Sequence, residues 1–244
     1  MILVTGGAGY IGSHFIKCYL DTYPNAPILV VDDLSQGHAP ILEQFPSVCL
    51  VQHTVGDTTV MQQLLTQHRI TAVVHFAASC YVGESQANPI KYFHNNVVNS
   101  LGLFQAMEAA GVRQLIFSST CATYGMPQTL PITETHPQSP INTYGLTKLM
   151  VEQALQTYCQ QLGWRCMALR YFNAAGADES GLLGEYHTPE THLIPLTLFV
   201  AKGWRPNITI LGNQHNTPDG TCIRDYIHVS DLAQAHVQAL SWLL

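Results

Sequence analysis

A doubly wound α/β fold, with helices covering both faces of a parallel sheet, is predicted by three features of the sequence. Short apolar runs alternate with helical stretches along the whole chain. The first run breaks into the glycine turn Thr5-Gly6-Gly7-Ala8-Gly9-Tyr10-Ile11-Gly12. The second, Pro27-Ile28-Leu29-Val30-Val31-Asp32-Asp33, ends in carboxylates about twenty residues later. Gly7, Gly9 and Gly12 satisfy G-x-G-x-x-G, and Gly6, Gly9 and Gly12 are also spaced by three, so the turn reads in two frames. Either frame lets a pyrophosphate approach the backbone N–H groups at a helix N-terminus. An ordinary flexible turn after a buried strand would show the same glycines, and the strand-end acid decides for a dinucleotide. Asp32 can accept from both hydroxyls of an adenosine ribose and repels a 2'-phosphate, so the expected cofactor is NAD rather than NADP. The fold class is therefore a Rossmann-type doubly wound parallel sheet.

At 244 residues and 47% apolar content the chain can bury a sizeable core and is not expected to be disordered. Charged residues are 11% with a formal net charge of -6, and the ten Lys and Arg are scattered, which argues against nucleic acid as a partner. No apolar run approaches the roughly 18 residues of a membrane span, and the first strand begins at Ile2 without a basic leader, so the expectation is a cytoplasmic protein with no membrane partner. The seven cysteines lack any C-x-x-C, and the twelve histidines form no H-E-x-x-H or His/Cys cluster, so neither disulfides nor a metal is expected.

The elements follow in order. Ile11 to Leu20 reads as the first helix and Val48 to Gln52 as a third strand. That strand ends towards Gly56-Asp57-Thr58, where Asp57 and Thr58 can face an adenine or Asp57 can cap the helix Thr59 to Gln67. Ala72 to Phe76 is a fourth strand, and the small Ala77 and Ala78 after it admit either a ligand or close packing. Pro89 opens a long helix to Ala110, closed by Gly111. Within it Asn95 and Asn96 are mediocre helix formers, which implies that one bonds a buried ligand or a neighbouring loop. Leu115 to Phe117 is a fifth strand running into the hydroxyl-rich Ser118-Ser119-Thr120-Cys121-Ala122-Thr123-Tyr124. Ligands of open parallel sheets sit at this carboxyl edge.

Asn142-Thr143-Tyr144-Gly145-Leu146-Thr147-Lys148 begins a helix running to about Leu162, with Gly163 as its stop. Tyr144 and Lys148 are four apart and share a helix face. A tyrosine with a pKa near 10 is a poor base at neutral pH, and a fixed ammonium, here Lys148, together with a positive nicotinamide ring would lower that value. With Thr120 arriving from the preceding strand, Tyr144 and Lys148 can take a proton from an alcohol while a hydride leaves for NAD.

These residues, together with His75-Phe76-Ala77-Ala78, Val82-Gly83-Glu84-Ser85, Asn95-Asn96-Val97, Leu169-Arg170-Tyr171-Phe172-Asn173 and Arg224-Asp225-Tyr226-Ile227-His228-Val229, resemble the extended short-chain dehydrogenase/reductases, and among them the UDP-hexose 4-epimerases. The resemblance implies an NAD that is recycled: Tyr144 deprotonates the sugar 4-hydroxyl as C4 gives up its hydride, the 4-keto sugar turns over, and the hydride returns to its other face. UDP-glucose and UDP-galactose would thereby interconvert. It further implies cofactor contacts from Gly6, Gly9, Tyr10, Ile11, Gly12, Asp32, Asp33, Asp57 and Thr58 on the adenosine side, and from Phe76, Ala77, Ala78, Asn96, Tyr144, Lys148 and Tyr171 on the nicotinamide side. Substrate contacts would come from Thr120, Tyr144, Asn173, His192, Leu193 and Arg224, with Arg224 on the diphosphate unless it pairs with Asp225 or Asp231. Residues 1–172 then form the NAD-binding domain with its catalytic pair, and 173–244 a partial substrate lobe, because members of this family continue past a helix expected at Ser230 to Leu244. A homodimer through the helices Pro89 to Ala110 and Tyr144 to Leu162 is the family expectation. An epimerase for another UDP-sugar, and an NAD-binding remnant without turnover, remain open at this point. A sugar-nucleotide dehydratase is disfavoured, since Cys121-Ala122 offers no acid pair after the fifth strand.

Overall fold

A computed structural model describes all 244 residues, Met1–Leu244. Strands β1 (Ile2–Thr5), β2 (Ile28–Asp32), β3 (Val48–Gln52), β4 (Ala72–His75), β5 (Gln114–Ser118) and β6 (Arg165–Leu169) form one sheet in the order β3-β2-β1-β4-β5-β6, with every pairing parallel. The order reverses between β1 and β4, which is where ligands of open parallel sheets bind. Strands β1, β2 and β4 are buried along their whole lengths, as strands covered on both faces must be.

The helices are α1 (Tyr10–Thr22), α2 (Thr58–Gln67), α3 (Val82–Ala87), α4 (Pro89–Tyr92), α5 (Asn99–Ala109), α6 (Thr143–Leu162), α7 (Leu193–Ala201) and α8 (Val229–Leu243). The single helix expected from Pro89 to Ala110 is interrupted: Phe93–Val98 is π-helical between α4 and α5. Asn96 lies in this wider turn with its side chain buried, so the irregularity follows from a polar group that the core must satisfy. Gly111 and Gly163 adopt left-handed φ of 73° and 70° after their helices, as helix stops.

Two apolar cores flank the sheet. One is built from Leu3, Leu29, Val73, Leu115 and Phe117 against Met61, Leu65, Phe104, Met107, Val151 and Trp164 of the α2, α5 and α6 side. The other joins Ile2, Val4, Val30, Val74 and Ile116 to Phe15 and Ile16 of α1 and to Val237, Leu240 and Leu243 of α8. The last helix thus covers the sheet beside the first, and Tyr23 and Ser241 share a hydrogen bond of 2.9 Å between them. A separate two-stranded parallel sheet pairs β7 (Asn173–Ala175) with β8 (Tyr226–His228). It starts the region after residue 172, which sequence assigned to a second lobe, and leads directly into α8.

Two buried histidines make the packing sensitive to acid. His75 on β4 takes the Thr5 hydroxyl on Nδ1 at 2.6 Å and donates from Nε2 to Ser100 at 3.0 Å, and Ser100 in turn donates to Asn96. Burial pulls His75 down to about 3 and His236 on α8 down to about 4 from an ordinary 6.5. Both are neutral when folded near neutral pH, and below 6.5 the unfolded chain binds protons that the folded one refuses. Stability is therefore full above 6.5 and declines as the pH falls towards these folded values. The urea midpoint should drop between about pH 7 and about pH 5, less so in His236→Leu; an unchanged midpoint would contradict it. Leu240→Ala, removing a side chain 1% exposed in the α1–α8 core, should cost about 2–5 kcal/mol in urea unfolding, and a loss under about 1 kcal/mol would show that α8 is not part of the cooperative core.

Candidate active site

The glycine turn is fixed by sterics. Gly6 has φ of 70°, and a Cβ there would stand 2.6 Å from the Ala77 backbone nitrogen. A Cβ on Gly12 would stand 2.3 Å from the Gly6 carbonyl oxygen. Gly9 caps α1, followed by Tyr10 and Ile11 as its first residues, so the helix N-terminus opens onto the crest of β1 as expected. The Tyr10 hydroxyl donates to the Gly176 carbonyl at 2.6 Å, which ties this turn to the region after β7.

Asp32 is 6% exposed at the end of β2. Its two oxygens accept from the N–H groups of Ala8 at 3.0 Å and Leu34 at 2.9 Å, so the carboxylate joins the glycine turn to the following loop. Burial, opposed by these two N–H groups, raises its pKa. Each oxygen keeps a second lone pair, and a Cβ on Gly37 would stand 2.8 Å from Oδ1. The cradle therefore fits a ribose at Asp32 and a pyrophosphate at α1. Asp33 accepts from Ser35 N–H at 2.9 Å and stays at the surface.

Asp57 caps α2: it accepts from Val60 N–H at 3.1 Å and lies 3.2 Å from His53, and these contacts lower its pKa. Thr58 turns its hydroxyl to the Gly102 carbonyl at 3.2 Å, towards α5. Asn96, expected at the cofactor, is engaged within the protein. It accepts from Ser79 N–H at 2.8 Å and donates to the Ser79 carbonyl at 3.0 Å and the Thr147 hydroxyl at 3.1 Å. Three short bonds leave it a brace between the loop after β4 and α6. Phe76 packs between Phe15 and His236, with Ala77 and Ala78 partly open behind it.

The catalytic candidates do converge. Asn142 caps α6 by accepting from Gly145 N–H at 2.8 Å, and Ser85 of α3 accepts from Tyr144 N–H at 3.2 Å. A Cβ on Gly145 would stand 2.5 Å from the Ala122 carbonyl oxygen, so this glycine lets the start of α6 lie against the turn that follows Thr120. Thr120 is 7% exposed, accepts from Ala122 N–H at 3.1 Å, and favours the Tyr144 phenolate from its position beside that hydroxyl. Lys148 is 3% exposed, donates to the Ser118 carbonyl at 2.8 Å, and lies 6.0 Å from the Tyr144 ring centre.

The sequence argument lowers the Tyr144 pKa through Lys148 and a positive nicotinamide ring together; the protein's own groups push it the other way. Desolvation, aided by Cys80 and Tyr171, pushes Tyr144 well above 10, and Thr120 opposes it. Desolvation also pulls Lys148 down to about 8, against the attraction of Cys80 and Glu152. Lys148 directs its ammonium at a carbonyl instead of at the phenol, so burial dominates both groups. Tyr171 bonds Ser118 through its hydroxyl, and burial pushes it up to about 12.

Several supporting residues escaped the sequence reading. Glu152, 9% exposed, takes two contacts from Arg170 at 2.7 and 3.0 Å through Oε2, a third at 3.0 Å through Oε1, and hydrogen bonds from Ser119 and Gln138. Arg170 also donates to Tyr124 and to the Glu134 carbonyl, so one guanidinium fastens the loop after β5 to α6. The signal was present, since Tyr144, Lys148 and Glu152 recur every four residues on one face.

Of the substrate candidates, Thr120 and Tyr144 belong to this buried cluster, and Arg224 is near enough to Cys121 to oppose the rise that burial gives its pKa. Asn173 donates to the Asp225 carbonyl at 2.6 Å. Arg224 is exposed, donates only to the Ile223 carbonyl and pairs with neither Asp225 nor Asp231, so its charge is free for an anion. Leu193, 55% exposed, starts α7, and His192 before it is turned to Glu185.

The model of the NAD dependent epimerase/dehydratase family matches residues 2–243. A UDP-glucose 4-epimerase of Rhizobium leguminosarum bv. trifolii is 48% identical over 243 residues, covering 100% of this chain and 73% of that protein. The structure of UDP-glucose 4-epimerase from Brucella ovis in complex with NAD superposes with a TM-score of 0.92 at 47% identity, over 99% of this chain and 73% of the other. That of the Bifidobacterium longum enzyme in complex with NAD+ and UDP gives 0.92 at 39% identity, over 98% and 73%. With the glycine turn, Asp32 and the Thr120, Tyr144 and Lys148 cluster in place, the chain belongs to the NAD dependent epimerase/dehydratase family.

Proposed function

We propose that this chain is an NAD-dependent UDP-hexose 4-epimerase that interconverts UDP-glucose and UDP-galactose. The observation that carries the reading is the meeting of Tyr144, Lys148 and Thr120 at the carboxyl edge of β5, next to the β1–β4 switch point. The names of the relatives support it. Gly6, Gly9 and Gly12 with Asp32 hold the pyrophosphate and adenosine ribose, and Lys148 holds the ribose next to the reacting carbon. Bound NAD supplies the hydride acceptor and donor for sugar C4 and, when oxidised, a positive charge that favours the Tyr144 phenolate.

The chain's own groups handle the proton. Tyr144 is protonated by burial at neutral pH, so it is ready to give a proton to the sugar 4-oxygen and takes one only when positive charge is near. Thr120 donates to the 4-oxygen and keeps it in line with the phenol. Lys148, near 8, is largely charged at pH 7 and stabilises the phenolate through space. Arg224 binds the diphosphate with its free fork, while Asn173, His192 and Leu193 line the nucleotide side.

The same reading includes a homodimer in the cytoplasm. Its support is the set Val98 at the end of the π-helical turn, Leu101 on α5, and Leu146 and Met150 on α6, each at least 38% exposed. Seven free cysteines and the lack of any helix long and apolar enough to cross a membrane agree with a reducing, aqueous compartment.

Purified chain supplied with NAD should convert UDP-galactose to UDP-glucose, and Tyr144→Phe should lower kcat at least about 100-fold while NAD stays bound. Full activity in Tyr144→Phe would overturn the assignment, and faster turnover of a UDP-pentose or UDP-N-acetylhexosamine would move it to another UDP-sugar. In sedimentation the chain should run as a dimer and Met150→Arg as a monomer; a monomeric parent would refute the α5–α6 interface.

A further inference from the structure

Four side chains outside the catalytic cluster converge in the segment before α7. Glu185, His187, Glu190 and His192 each offer one ligating atom, and these atoms all lie within 4.8 Å of one another. No motif of familiar spacing announced them, because the chain bends at Thr188-Pro189 instead of presenting a helix face. The side chains of Glu185 and Glu190 are only 6% and 5% exposed, and His187 is 12% exposed. Two buried carboxylates this close, with no Lys or Arg partner, repel one another and lose hydration, which demands a positive charge.

One imidazole meets that demand in part, since His192 Nδ1 hydrogen-bonds Glu185 Oε1, whereas His187 makes no such bond. His187 Nδ1 is 3.4 Å from Glu185 Oε1 and 3.5 Å from Glu190 Oε2, and this buried nitrogen has no hydrogen-bond partner. Four donors about 2.0–2.1 Å from a tetrahedral ion stand about 3.3–3.4 Å apart, close to the separations of His187 Nδ1 from Glu185 and Glu190. His192 Nδ1 also contacts Glu185 Oε1. The N–H groups of Thr191 and His192 both fix Glu190 Oε1 at 2.8 Å, leaving Oε2 as the oxygen nearest His187. The His187 ring is held edge-on by Tyr10 and Tyr81 at 6.4 and 6.0 Å. Such outer contacts are what orient ligands in metal sites.

We infer that Glu185, His187, Glu190 and His192 bind one zinc-type divalent transition-metal ion. Two imidazole nitrogens with two carboxylate oxygens suit zinc better than the all-oxygen cations, and four protein donors make a closed, structural site. Tyr186 lies 5.0 Å from the His38 ring, and Thr188 lines a hollow with residues 34–38 after Asp32. The ion therefore pins a strap running from Tyr10 to the loop beside the adenosine carboxylate. This revises the sequence expectation of no metal, and it touches the epimerase reading only at His192, whose Nδ1 faces the cluster.

The test uses the full chain, stripped with chelator and titrated with Co(II). The expected result is the intense visible absorption of tetrahedral cobalt saturating at one ion per chain, its bleaching by one equivalent of Zn(II), and a zinc-dependent rise in Tm. His187→Ala and Glu190→Gln should each weaken cobalt binding at least about tenfold, whereas His94→Ala on the exposed π-helical turn should not. If His187→Ala fails to fold, Glu190→Gln and the wild-type titration decide. A weak octahedral spectrum, uptake without one-to-one saturation, or binding untouched in Glu190→Gln would overturn the inference.

Discussion

The close approach of Gly6 to Ala77 is the constraint on which the rest of the structure depends. At 2.6 Å from a backbone nitrogen no Cβ fits, so the end of β1 and the end of β4 can run side by side and then part to opposite faces. That parting makes the crevice. Gly12, equally crowded against the Gly6 carbonyl, sets α1 tightly behind it, and Asp32 then clasps Ala8 from the next strand. The cofactor cradle is a consequence of three backbones that touch.

The second half of the site is arranged by helix placement. Gly145 admits the Ala122 carbonyl, Ser85 holds the Tyr144 N–H, and Asn96 braces Thr147, so the first two turns of α6 are fixed on several sides. Glu152 and Arg170 do the same one turn further on and immobilise the loop that carries Thr120. A buried pair of this kind contributes little net stability, and its effect is on geometry. Catalytic groups displaced by even an ångström lose much of their rate.

Much of this was legible in the residues. The strand β3, the glycine turn, Asp32 and the Tyr144–Lys148 face follow from period and spacing, because each depends on neighbours within a few residues. What sequence misjudged is non-local. The helix after Pro89 is broken because Asn96 must reach Ser79 and Thr147, which lie 17 and 51 residues away. Burial, invisible in a linear string, outweighs at Tyr144 the Lys148 charge four residues on, which leaves the lowering to the nicotinamide that the sequence argument also invoked. Asp57 could serve as cap or ligand on sequence, and the N–H of Val60 supplies the capping contact that a linear string leaves open. The Glu185 to His192 cluster stayed hidden because its ligands are joined by a bend with no periodicity.

The packing of α8 against α1 has a consequence for how the chain is made. Val237, Leu240 and Leu243 cover the same sheet face as Phe15 and Ile16, so residues more than two hundred positions apart close one core. As the chain leaves the ribosome, the opposite face can be assembled from α2, α5 and α6 with their strands, while the α1 face stays partly bare until residues 229–243 emerge. During that interval the nascent protein displays β-branched sheet surface to solvent, and chaperone demand should be concentrated in the stretch of synthesis before α8 emerges.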